Sequence, residues 1–135
     1  MALASVEVPA ALVAPLRETV VLLYEATAEA LHLALREAGP LGEVHRHRER
    51  LRQLEDLLER LGWSAEAAPD ALRDSLELSG PGEILRDAIY GALIDAGERL
   101  AEACNGCWRG AVEPDGVRRA AAEVIALDRL LARVR

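Results

Sequence analysis

At 135 residues, 51% of them hydrophobic, the chain is long enough for one domain with a sizeable core. A net charge of -7, from 23 acidic and 16 basic residues, excludes a general nucleic-acid binder, which needs a basic footprint to release counterions. No uncharged stretch approaches the roughly 20 residues of a membrane span, and two cysteines make no disulfide framework.

The opening MALASVEVPA lacks the basic region and apolar run of a signal peptide, so a cytoplasmic protein with reduced thiols is expected. There is no Phe, aromatics are 3%, and the bulk is Ala, Leu, Glu and Arg. Those residues favour helix, whereas strands draw on β-branched and aromatic side chains. An all-α fold follows.

Residues 1–14 read as a lead-in broken by Pro9, with Pro15 as the first residue of a helix over about 16–38. Leu16, Val20, Leu23, Thr27, Ala30, Leu31 and Ala34 follow the three-four spacing of an amphipathic helix, and Gly39-Pro40 ends it. A second helix spans about 42–61, where Val44, His47, Leu51, Leu54, Leu58 and Leu61 form a heptad seam closed by Gly62. Trp63 is expected to fold back over that end. Residues 64–80 read as a long connection carrying a short helix after Ala68-Pro69-Asp70.

A third helix runs from about 82 to 105, with Gly80 as cap and Pro81 as its first residue. Leu85, Ile89, Ala92, Ala96, Leu100, Ala103 and Cys107 point inward, and Ala88, Gly91, Ala92, Ala96 and Gly97 make one flank small. Each mid-helix Gly costs about 1 kcal/mol relative to Ala, which close approach of another backbone would offset. Pro114 opens a fourth helix to about 134, with Val117, Ala121, Val124, Leu127, Leu131 and Val134 inward and Ile125 and Leu130 widening the face. No internal repeat and no low-complexity tract is legible. Helices of about 20 to 24 residues measure roughly 30 to 36 Å, and their matched lengths predict an antiparallel, up-down four-helix bundle.

Cys104-Asn105-Gly106-Cys107 is the constellation with most chemical promise. In an up-down bundle the second helix begins where the third ends, which would bring His47 to both cysteines. Cys104, Cys107 and His47 would then be a candidate zinc site, with Glu43, Glu113 or water as fourth ligand. His45 lies on the opposite side of its helix from His47 and cannot share that metal. The same thiols are a candidate redox pair, although they lack the helix N-terminus that activates thioredoxin-type cysteines.

The stretch EACNGCWRGA resembles the helical alkylhydroperoxidase-D-type motif at Glu102, Cys104 and Cys107. Position 111 is Ala where that motif carries the proton-relay His. The resemblance implies peroxidatic thiol chemistry that this chain lacks the means to complete. Covalent haem attachment fails because Trp108 stands where the motif needs His.

Glu29 and His32 have the Glu-x-x-His spacing of di-iron bundles, but Glu25 and Glu29 fall on the solvent side and no second motif exists. Asp95 and Asp128 flank apolar faces and are expected to be the buried acids, paired with Arg99 or with each other's neighbours. The run from His45 to Arg52 is the one basic patch, its arginines spread round the helix and paired with nearby acids.

These readings combine into a non-enzymatic interaction or regulatory module acting as a homodimer, with no nucleic acid or membrane partner and no required cofactor. The seam is expected on the small flank of the third helix or the wide apolar face of the fourth. The alternative is a zinc or thiol-redox protein using Cys104, Cys107 and His47.

Overall fold

The computed structural model describes residues 3–63 and 75–134. Its elements are β1 (Leu3–Pro9), α1 (Ala10–Arg36), α2 (Leu41–Leu61), β2 (Ser75–Pro81), α3 (Gly82–Trp108) and α4 (Pro114–Arg133). The helical majority and the four long helices agree with the sequence reading. The two strands do not.

The lead-in is β1, and it pairs antiparallel with β2, with Leu3 opposite Pro81 and Pro9 opposite Ser75. Its period is two: Val6 and Val8 are buried, while Ser5 and Glu7 face out. β2 alternates in the same way about the buried Leu78, and Ser5 Oγ donates to Glu77 Oε1 at 2.8 Å on the solvent side. Each strand is only seven residues long, and an isolated pair of that size is marginal in water. Burial of one face on the helices supplies what it lacks. Of the short helix expected in 64–80, residues 64–74 lie outside the described residues, and the remainder is strand.

The helix bounds shift for the same reason. α1 begins at Ala10, directly after Pro9, and runs through Pro15. Leu12 and Val13 are core residues, and their burial outweighs the ladder bond that Pro15 cannot make. α3 starts at Gly82, with Pro81 as its N-cap, and continues to Trp108.

The chain is built twice. β1 and α1 correspond to β2 and α3 with a constant offset of 72, so that Leu3 matches Ser75 and Arg36 matches Trp108. One extra residue in the second hairpin loop then aligns Leu41 of α2 with Pro114 of α4. Buried positions coincide: Leu12, Val13, Leu16, Arg17 and Val20 match Ile84, Leu85, Ala88, Ile89 and Ala92. The turns coincide as well. Ala38 and its counterpart Gly110 are both at positive φ, 52° and 77°. Gly39 N donates to Ala34 O as Ala111 N does to Gly106 O, both at 2.8 Å.

This corrects the reading of a chain without repeats. The duplication escapes the sequence because α1 and α3, 27 residues each, share no identical aligned residue. Only α2 and α4 keep a trace, chiefly Leu54, Leu57 and Leu58 against Leu127, Leu130 and Leu131.

A pseudo-two-fold axis relates the halves. It passes between Val6 and Leu78, which pair in the ribbon, and between Thr19 and Gly91, which touch where α1 crosses α3. α1 packs on α2, α3 on α4, and the two hairpins meet through α1 and α3. The shared core gathers the first half of α1 and of α3, the last turns of α2 and α4, and the inner face of the ribbon.

Two devices hold this core. Ala88, Ala92 and Ala96 are buried, so the small flank of α3 is spent inside the molecule and is not available as a dimer seam. A Cβ built on Gly91 would lie 2.7 Å from Thr19 Cγ2. The second device is the buried Arg17, whose Nε and Nη2 donate to Leu61 O at 3.0 and 2.7 Å, with Nε also 3.2 Å from Gly62 O. The guanidinium thereby caps the last carbonyls of α2, where the helix dipole favours a cation.

Gly91→Ala is expected to destabilise the fold by about 1–3 kcal/mol through overpacking, although Ala is the better helix former. Thr19 is β-branched, and its hydroxyl is held on Pro15 O at 3.1 Å, so it cannot swing away. In a Thr19→Ser background, which lacks Cγ2, the same change should be neutral or stabilising by urea denaturation. Equal effects in both backgrounds would refute the contact. Arg17→Met should cost about 2–3 kcal/mol by stranding buried carbonyls, with Arg17→Lys recovering little because a point charge cannot span both acceptors. A loss below about 0.5 kcal/mol would show that the cap is not needed.

Candidate functional site

His47, Cys104 and Cys107 are not brought together. His47 is half-buried on α2, with Nε2 3.7 Å from Glu43 Oε1, and it shares a recess with Glu83 and Ile84 at the head of α3. Arg50, one turn on, pairs with Asp87 at 3.1 Å. Side chains from the middle of α2 therefore reach the start of α3. The cysteines occupy the far end of that helix, some 35 Å away at 1.5 Å per residue between Ile84 and Cys107. Cys104 is exposed and Cys107 half-buried, both as free thiols. Among the described residues no group of three His, Cys, Asp or Glu side chains is disposed to hold a metal ion.

The other candidates disperse in the same way. Glu25, Glu29 and His32 are all exposed on α1, so no inward carboxylate pair exists there. Asp95 and Asp128 are exposed, contrary to expectation. Asp95 does meet Arg99, at 3.5 Å, and Arg99 also reaches Glu123 on α4 at 2.9 Å. Within the basic run, Arg52 pairs with Glu49 and Arg50 with Asp87, a solvated, ion-paired face. Trp63 does fold back: its ring meets Tyr24 edge-on at 5.4 Å, and its Nε1 donates to Glu59 Oε1. Tyr24 donates to Glu55 Oε1 at 2.7 Å, and that carboxylate lifts the phenol pKa above its ordinary value.

What the fold leaves open lies beyond the α1–α3 crossing. After Val20 only Thr27 and Ala34 are buried on α1, and after Ala92 only Ala96 on α3. Among the described residues, the second halves of both helices are covered chiefly by their own hairpin partner. A cleft of about 580 Å³ opens there, lined by Glu18, Thr19, Val21, Leu22, Leu23, Gly91 and Asp95. Leu22 is 65% exposed, and Ile94, its counterpart across the axis, is 50% exposed. Tyr90, one turn before Ile94, is 56% exposed. Leu22 thus stands in solvent at the cleft, and Tyr90 and Ile94 stand in solvent beside its α3 residues Gly91 and Asp95 in sequence.

Their neighbours are acidic. Glu25 and Glu29 follow Leu22 at three and seven residues, and Glu98 and Glu102 follow Ile94 at four and eight, placing all four carboxylates on the same helix faces. None of these four, nor Glu18, takes part in an ion pair among the described residues. The stretch of α1 from Glu18 to Leu35 contains no Arg. The apolar stripes of the sequence leave out Leu22, Tyr90 and Ile94 because each lies off the inward face of its helix. The one available signal was the large apolar residue at each of these non-stripe positions, and only the crossing leaves them uncovered.

The separation of His47 from the cysteines has a direct check. His47→Ala should leave the rates at which Cys104 and Cys107 react with a thiol reagent unchanged, measured by mass spectrometry of the labelled chain. A marked acceleration of either thiol would mean that the imidazole covers it. No helix among the described residues is long and apolar enough to cross a membrane. Comparison with family models, curated proteins and solved structures returns no match for this chain.

Proposed function

We propose that the protein works as a non-enzymatic interaction module, and that it engages its partner through the face left open beyond the α1–α3 crossing. The observation that carries this reading is the cleft itself, where Leu22 lies 65% exposed among Val21, Leu23 and Glu18, with Tyr90 and Ile94 exposed next in sequence to the cleft residues Gly91 and Asp95. Isolated surface apolar residues are ordinary, whereas a cluster rimmed by polar groups is the usual mark of a contact surface. The pattern fits interface anatomy, with an apolar and aromatic centre and a charged rim.

A photo-crosslinking amino acid placed at Leu22 or at Ile94, in the full chain expressed in its native cells, should give discrete protein adducts. The exposed Ala122 on α4 serves as a control position and should give none. Adducts from both face positions alone would support the module. Absence of any adduct at both, or equal labelling from Ala122, would overturn it.

A further inference from the structure

Resting on that interaction face, we propose that the cleft beyond the α1–α3 crossing receives a cationic amphipathic helix from another protein. The shape and the charge of the cleft point to the same occupant. Its wall on α1 is apolar along Val21, Leu22 and Leu23, and Thr19 and Gly91 form its floor at the crossing. A groove between two helices is suited to the apolar stripe of a third, which inserts anchors at helical spacing. Such a ligand turns its polar flanks toward the rim.

Glu18 lines the cleft, and Glu25 and Glu29 continue the α1 face of Leu22, all three exposed and outside any ion pair among the described residues. Asp95 is already shared with Arg99 and contributes less. Carboxylates outside any ion pair among the described residues are complementary to Lys or Arg on the incoming helix, and they would steer its approach. A second copy fits poorly. A two-fold contact through this face would set the same acidic rim against itself, with like charges opposed across an apolar centre.

The test uses the full chain and three synthetic helical peptides. One has a Leu face flanked by Lys, the second has the same Leu face flanked by Glu, and the third keeps the Lys but replaces Leu by Gln. Fluorescence anisotropy should show saturable, one-to-one binding of the first alone, weakening as salt rises. Glu18→Lys/Glu25→Lys should reduce its affinity by about tenfold or more. The control pair Glu37→Lys/Glu113→Lys changes net charge equally and should alter affinity by about twofold at most. Leu22→Asp should abolish binding even though it adds a negative charge, which separates apolar docking from simple attraction.

All these sites are exposed, and matched denaturation midpoints would establish that the variants fold. Failure of the Leu/Lys peptide to bind, equal binding of the Leu/Glu peptide, or equal losses in both double variants would overturn the cationic partner. Crosslinks from Leu22 and Ile94 would still stand in those cases, so failure of the partner chemistry is distinct from failure of the face. A Leu22-dependent dimer in sedimentation of the chain alone would assign the face to a second copy and likewise overturn the proposal.

Discussion

The close approach of α1 and α3 at Thr19 and Gly91 fixes where the two halves of the chain meet. A glycine at that point removes the one Cβ that would hold the helices apart. Ala88, Ala92 and Ala96 keep the neighbouring turns narrow enough to follow. With the crossing set, the first halves of both helices are drawn together over the ribbon, and the last turns of α2 and α4 close on them from either side. The shared core therefore sits at one end of the molecule. Burial of Val6, Val8 and Leu78 against it makes a seven-residue ribbon tenable.

The same constraint explains the exposed face. Two helices that touch at one point near the first third of their length cannot cover each other over the rest. Each tail is shielded on one side by its hairpin partner and open on the other. Leu22 and Ile94 are related by the internal two-fold and emerge on either side of the axis, so their exposure follows from the duplication itself. The halves have diverged in what they do with equivalent positions. Arg17 caps α2 with a buried guanidinium, whereas Ile89 fills the matching site with hydrocarbon. Glu18 corresponds to Tyr90, which makes the open face lopsided, acidic on α1 and aromatic on α3.

The helices were readable because helical periodicity is a local signal, and their stops at Gly39-Pro40 and Gly62 are set by residues that cannot continue a helix. The inward stripes were largely right: Leu16, Val20, Leu54, Leu58, Leu85, Ile89 and Leu127 are buried as their spacing requires. β1 was missed because Ser-Val-Glu-Val alternates over too few residues to stand out beside two prolines. The zinc candidate failed on topology alone. Placing His47 beside Cys107 assumed that the start of α2 meets the end of α3, whereas side chains from the middle of α2 reach the start of α3, as Arg50 and Asp87 show.

The sequence by itself determined four amphipathic helices, their inward faces, their turns and the acidic, Arg-only surface. These depend on spacing within a turn or two and on the backbone preferences of Gly and Pro. Only the tertiary structure decided the pairing of the strands, the two-fold relation of the halves, and which off-stripe residues are left exposed. Those depend on contacts between residues some seventy positions apart, such as Val6 with Leu78 and Thr19 with Gly91. A duplicated fold can keep burial at matched positions while losing every shared identity between α1 and α3, because packing selects volume and hydrophobicity before it selects particular side chains.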